Sequence, residues 1–264
     1  QLTVTSQLVK SVEAFAAFCL ASSAMYVLND ILDREKDRAH PAKRNRPLAS
    51  GRVGMGEALA LFSVLFAGSL AIGWRLGMPF MSTIMGYLLL TILYTLKLKD
   101  LIILDVLIIA IGFVIRAMAG AIALSVSFSN WLVVCTLFLA LFLGLSKRRN
   151  EMTVLEDDAT SHRAVLQHYN LPYVDSLLVI VASATLITYT IYTCSPEVVT
   201  RLGTDKLYLT LPFVVYGLFR YFFIVHIKTE GGDPSMVLIK DWPLGLTVFL
   251  WGVTCMVIMY WKKF

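Results

Sequence analysis

The chain has 264 residues, 58% of them hydrophobic and only 16% charged, with a mean hydropathy of +0.72. That balance excludes a soluble globular domain and reads as one integral membrane domain over 1–264. A formal net charge of +5 would point a soluble protein toward nucleic acid, but here Lys and Arg collect between apolar runs, so charge reports topology and no nucleic-acid partner is expected.

Apolar runs long enough to cross a bilayer, about 20 residues each, fall near 9–32, 54–74, 79–96, 101–124, 129–146, 173–193, 207–227 and 242–261. These predict an all-α, polytopic bundle with eight visible spans. The chain opens "QLTVTSQLVK", without an initiator Met or a basic signal segment, so further sequence ahead of Gln1 is expected. The segments 33–52, 97–99, 147–163 and 228–240 hold fifteen Lys and Arg, whereas the alternate loops hold only Arg75, Arg201 and Lys206. The positive-inside bias places the first set in the cytoplasm, with Lys262 and Lys263 as a minor exception. A chemically equipped cytoplasmic face on a plain outer face favours an enzyme over a transporter, whose polar residues would more often interrupt the spans.

If the first span continues as a helix past Asn29, then Asn29, Asp33 and Asp37 recur at i, i+4 and i+8, with Asp30 one turn before Asp33. Such a row of carboxylates repels itself unless something positive sits on it. Oxygen ligands suit Mg²⁺, which takes one or two carboxylates and shares its shell with water and substrate phosphates. Asn29, Asp30, Asp33 and Asp37 are therefore the candidate metal ligands, and the three aspartates are also candidate catalytic residues. Lys43, Arg44, Arg46 and Arg52 follow as donors for phosphate oxygens. The plainer reading is an ordinary positive-inside loop with balanced charges.

Farther along, Lys97 and Asp105 flank a short cytoplasmic loop, and Arg116 lies eleven residues after Asp105, about three helical turns along the same face. An Arg at that depth is costly unless it meets a cavity or a partner, so Arg116 joins the catalytic candidates, with structural pairing as the alternative. The small residues of "AMAGAIA" suit close helix packing. Arg220 and Tyr221 divide evenly between pairing and function, while Asp233 and Asp241 read as a turn residue and a helix N-cap. Cys19, Cys135, Cys194 and Cys255 lack ligand spacing and read as inert core thiols. His40, His162, His168 and His226 form no catalytic set, and "GRVGMG" follows no strand, so neither an imidazole catalyst nor a dinucleotide site is assigned.

The stretch "NDILDREKDRAHPAKRNRPLASG" resembles the NDxxDxxxD motif region of the UbiA superfamily of intramembrane prenyltransferases, and within it the branch that transfers phosphoribose to decaprenyl phosphate. The likeness extends to "YTLKLKDLIILDVLIIAIGFVIRAMAGAIA", "LSKRRNEM" and "GGDPSMVLIKDWPLG". It implies a helical bundle around a cavity open to lipid, capped by polar cytoplasmic loops, with nine helices, one of them ahead of Gln1. Ordinary members carry a second aspartate-rich motif where this chain has Lys147, Arg148, Arg149 and Glu151. Base in place of acid argues for direct phosphate binding and against a second metal; "EDD" at 156–158 lacks the spacing of the missing motif.

The resemblance thus implies Mg²⁺-dependent transfer of 5-phosphoribose from phosphoribosyl pyrophosphate to polyprenyl phosphate at the cytoplasmic face of a bacterial inner membrane. The product would supply arabinose donors for cell-wall arabinogalactan. Lys43, Arg44, Arg46, Tyr94, Lys97, Asp105, Lys147, Arg148 and Glu151 are the expected substrate-binding residues. The alternatives are a prenyltransferase using prenyl diphosphate and, from another class, a transporter or lipid scaffold. A homo-oligomer stays open.

Overall fold

A segment in hydrocarbon must satisfy its backbone internally, and a single chain segment does so only as a helix. In the computed structural model, which describes residues 5–39, 43–154, 168–228 and 232–260, every long apolar run takes that solution. The helices are α1 Thr5–Leu32, α2 Arg34–Ala39, α3 Met55–Leu76, α4 Met78–Leu96, α5 Leu104–Ala123, α6 Asn130–Val154, α7 Leu171–Cys194, α8 Pro196–Leu202, α9 Leu211–Phe223, α10 Pro234–Lys240 and α11 Trp242–Tyr260. Short 3₁₀ turns cover Leu98–Asp100 and Lys206–Thr210, and a π-helical turn covers Ile224–Lys228. Eight of these segments are long and apolar enough to cross a membrane, matching the eight expected, and no strand occurs among the described residues.

Two spans differ from the sequence reading. The fifth span does not stop at 146 but runs to Val154, so "SKRRNEM" is helical rather than loop. Lys, Arg, Glu and Met are good helix formers, and Arg148 Nη1 donates to Glu151 Oε2 at 2.6 Å across i,i+3, a helix-supporting spacing. The seventh span is a composite of 3₁₀, α and π turns.

The chain divides into two compact units, Gln1–Phe128 and Ser129–Phe264. In the first, Ala17, Ala21 and Ala24 are fully buried along α1 and let the side chains of α3 approach closely. Phe18 meets Phe80 and Tyr87 edge-on, with ring centroids 5.8 and 5.6 Å apart, which ties α1 to α4. A single residue, Gly77, reverses the chain between α3 and α4 at φ 105° and ψ 164°, a region open essentially to glycine. A Cβ there would meet nothing nearer than Pro79 Cδ at 3.9 Å. Gly77→Ala is therefore expected to destabilise through backbone strain alone, by about 1–3 kcal/mol, seen as a lower melting temperature in detergent with unchanged helix content.

In the second unit, Asn170 caps α7 by accepting from the Tyr173 N–H at 2.9 Å. Deeper in the span, the Tyr189 hydroxyl meets Thr210 Oγ1 at 2.6 Å and accepts from Trp251 Nε1 at 2.8 Å, joining α7, the 3₁₀ turn and α11. An apolar cavity of about 260 Å³ opens among Leu139, Phe142, Leu218, Tyr221, Leu244 and Trp251.

All four cysteines are free, as expected, but only Cys135 is buried; Cys19 and Cys194 are exposed and Cys255 is intermediate. The core-thiol expectation fails at these positions because a membrane span is apolar on its outward face as well as its inward one.

Candidate active site

The acidic row lies where α1 passes into α2. Asp33 marks the junction, yet the Asp33 N–H donates to Asn29 O and the Asp37 N–H to Asp33 O, both at 2.8 Å. The i→i−4 ladder thus continues through the break, and the expected spacing of Asn29, Asp30, Asp33 and Asp37 is kept. Each aspartate meets a cation. Arg46 Nη1 donates to Asp30 Oδ1 at 2.8 Å and to Asp37 Oδ2 at 2.9 Å, while Lys99 Nζ donates to Asp33 Oδ1 and Oδ2 at 3.0 and 2.9 Å. Asp37 is only 4% exposed. Neutralising partners are what a buried carboxylate requires.

The turn that presents Arg46 is built by its own backbone. The Arg46 N–H donates to Lys43 O at 2.9 Å and the Ser50 N–H to Arg46 O at 2.8 Å, with Leu48 and Ala49 buried beneath. Arg38 Nε fastens the turn to α2 through Ala49 O at 3.0 Å, and Arg52 Nη2 closes it on Asn45 O at 2.5 Å. Arg52 therefore braces the loop. Arg44 is exposed on the same turn.

Lys99, to which the sequence reading gives no role, is the lysine of this loop that reaches the acidic row. Lys97 is exposed at the end of α4, whereas Lys99, in the following 3₁₀ turn, reaches Asp33. Asp105 is fully buried in the first turn of α5, and Tyr94 is half-buried near the end of α4. Deeper along α5, Arg116 Nη2 donates to the Tyr87 hydroxyl at 2.9 Å, which also contacts Ser22 Oγ at 3.1 Å. The Arg116 guanidinium stands 5.0 and 4.9 Å from the ring centroids of Tyr87 and Phe113. Among the described residues its Nε is buried without a hydrogen-bond partner and no carboxylate pairs with it.

In the second unit Arg148 is 2% exposed and bonded to Glu151, while Lys147 is exposed. Arg149, unassigned to substrate by sequence, donates through Nε to Asp175 Oδ1 at 2.6 Å and through Nη1 to Val225 O at 3.0 Å. Asp175 also contacts His226 Nε2 at 3.2 Å. Arg220 takes the structural alternative, with Nε and Nη2 on the two oxygens of Asp241 at 3.0 and 2.9 Å. Asp241 caps a helix as expected, accepting from the Leu244 N–H, and Asp233, read as a turn residue, also caps one, accepting from the Ser235 N–H. His40, His162 and "EDD" lie outside the described residues.

The Asp241 carboxyl is held down at about 2, first by the hydrogen bonds from Arg220; burial opposes this, and Lys228 and the Leu244 N–H add to it. A depressed carboxylate contributes stability above its unfolded pKa of about 3.9 and loses it as pH falls through its folded value. The melting-temperature difference between wild type and Asp241→Asn should thus stay constant from pH 8 to 5 and shrink below about pH 4.

A metal must compete with these cations. Among the described residues no group of three His, Cys, Asp or Glu is gathered for a metal, because Asp33 faces Lys99 while Asp30 and Asp37 share Arg46. Two carboxylate oxygens converging on one cationic nitrogen still fit a Mg²⁺ ion, which needs only one or two carboxylates when phosphates complete its shell.

The sequence pattern of the UbiA prenyltransferase family matches residues 4–253. A decaprenyl-phosphate phosphoribosyltransferase of Mycolicibacterium smegmatis is 31% identical over 243 residues, covering 90% of this chain and 76% of that protein. One from Corynebacterium glutamicum is 30% identical over 248 residues, covering 92% and 74%. The solved structure of a UbiA homolog from Archaeoglobus fulgidus, bound to DMAPP and Mg²⁺, shares the fold with a TM-score of 0.73 at 17% identity, over 98% of this chain and 90% of that one.

Proposed function

The chain belongs to the UbiA prenyltransferase family, and from that premise we propose that it transfers 5-phosphoribose from phosphoribosyl pyrophosphate to a polyprenyl phosphate, on the scale of decaprenyl phosphate. A phosphate oxygen of the lipid attacks the anomeric carbon, the bond from that carbon to the pyrophosphate oxygen breaks, and diphosphate leaves. The acceptor is already an anion, so no strong general base is needed. The observation that carries the reading is the similarity to two phosphoribosyltransferases over nine-tenths of the chain. Base in place of acid at Lys147 to Arg149 supports it over a prenyl diphosphate donor.

Mg²⁺, when bound, supplies positive charge to the departing diphosphate. Asp30 and Asp37 would hold it, with Asn29 and Asp33 on the same helical stretch. Lys99 orients Asp33 through both of its carboxylate oxygens, and the guanidinium of Arg46 would serve as a donor to diphosphate oxygens. Lys43 and Arg44 present further cations from the same turn. Tyr94, Lys97, Asp105, Lys147, Arg148 and Glu151 are assigned to substrate on the strength of the resemblance. We read residues 1–264 as a single transferase domain in a bacterial inner membrane, working at its cytoplasmic face, with the product destined for cell-wall arabinose donors.

The test is transfer of labelled phosphoribose from phosphoribosyl pyrophosphate to decaprenyl phosphate by purified protein. Labelled lipid that appears with Mg²⁺ and disappears with EDTA is the expected result. Absence of labelled lipid, with turnover of a prenyl diphosphate instead, would replace this reading with prenyl transfer.

A further inference from the structure

Arg46 touches two of the aspartates, Asp30 and Asp37, through one nitrogen. Its Nη1 closes the gap between Asp30 and Asp37, seven residues apart on the helix. A divalent ion held by the same two oxygens needs the same space, since Mg²⁺ draws its oxygen ligands to about 2.0–2.1 Å. The guanidinium and the ion therefore cannot both be satisfied there.

The surroundings allow the guanidinium to move without the loop moving. The Arg46 backbone is held by Lys43 O and by the Ser50 N–H, and the turn is fastened through Arg38 and Arg52, none of which involves the Arg46 side chain. That side chain is 39% exposed, against 14% for Lys99, so it can swing without opening a cavity. Lys99, on both oxygens of Asp33, stays in place.

We propose that Arg46 is an exchangeable counter-ion: it neutralises Asp30 and Asp37 until a divalent cation takes their oxygens, and the released guanidinium turns to the phosphate that the cation brings. This rests on the metal-dependent reading above and adds to it a coupling between metal entry and substrate binding. Arg46 is a positioning residue for the metal site before it becomes a ligand of substrate, so metal and phosphate each favour the binding of the other.

The test uses two readouts other than turnover. Wild-type protein in detergent is treated with phenylglyoxal with and without Mg²⁺, and labelling of each arginine is read by peptide mass spectrometry. Mg²⁺ should raise Arg46 labelling several-fold while Arg38 and Arg52 stay constant. In parallel, Mn²⁺ binding is followed by electron paramagnetic resonance, and Arg46→Gln should bind Mn²⁺ about tenfold more tightly, within the usual range of coupling between sites. Metal binding to wild type with Arg46 labelling unchanged or reduced overturns the exchange and leaves the metal-dependent reading standing. No metal binding to wild type, or binding that Asp30→Asn does not weaken, overturns both.

Discussion

Asp37→Asn is expected to lower phosphoribosyl transfer by about 10²- to 10³-fold in kcat, the usual cost of removing one group that stabilises developing charge. Asp37 is the most buried of the three aspartates of the motif, so its charge acts in the least screened surroundings. Asparagine keeps the shape and a carbonyl oxygen but removes the charge, and Arg46 retains Asp30 as a partner. The fold should survive, with a small change in melting temperature. Glu35→Gln serves as the control: it lies in the same helix, 76% exposed, paired with Arg38 across i,i+3, an arrangement of little energetic weight. Labelled-lipid assays over a range of Mg²⁺ should show Glu35→Gln near wild type. An Asp37→Asn enzyme within tenfold of wild type would remove Asp37 from the reaction.

The spans were legible because bilayer thickness and backbone hydrogen bonding leave a chain of this composition one solution. The acidic row was legible for a similar reason: helical spacing alone places Asn29, Asp33 and Asp37 in register, and the ladder through Asp33 preserved it. What sequence missed depends on backbone direction. In "KLKD" nothing local says which lysine turns back; the 3₁₀ turn at Leu98–Asp100 decides it, followed by Ile103 at φ 70°, a conformation rare for a β-branched residue. Arg46 was recognised as a phosphate donor but not as the partner of Asp30 and Asp37, since that contact spans a turn whose shape comes from Arg38 and Arg52. No sequence signal singles out Asp175. Its importance appears only when α6 brings Arg149 and the π-helical turn brings His226 to the same oxygen.

Arg116→Met separates two uses of a membrane-depth guanidinium. A charged Arg near the centre of a span costs about 2.5–3.5 kcal/mol on insertion scales. What it receives here is one hydrogen bond, donated by Nη2 to the Tyr87 hydroxyl, and two ring contacts; each ring contact is worth about 0.5–2 kcal/mol. Methionine fills similar space without the charge, and the Tyr87 hydroxyl keeps Ser22 at 3.1 Å. If Arg116 served structure alone, through its ring contacts and its bond to Tyr87, the variant should lose stability and activity together. A role in binding an anionic group predicts a split: melting temperature equal or higher, and kcat/KM for phosphoribosyl transfer lower by about 10- to 10²-fold, the scale of one charge-assisted hydrogen bond of about 1.5–3 kcal/mol. The split is the expected result, because the buried Nε–H has no partner among the described residues and an unmade bond at that depth is expensive unless a ligand completes it. Equal loss of stability and activity would instead make Arg116 a structural residue held by the rings of Tyr87 and Phe113.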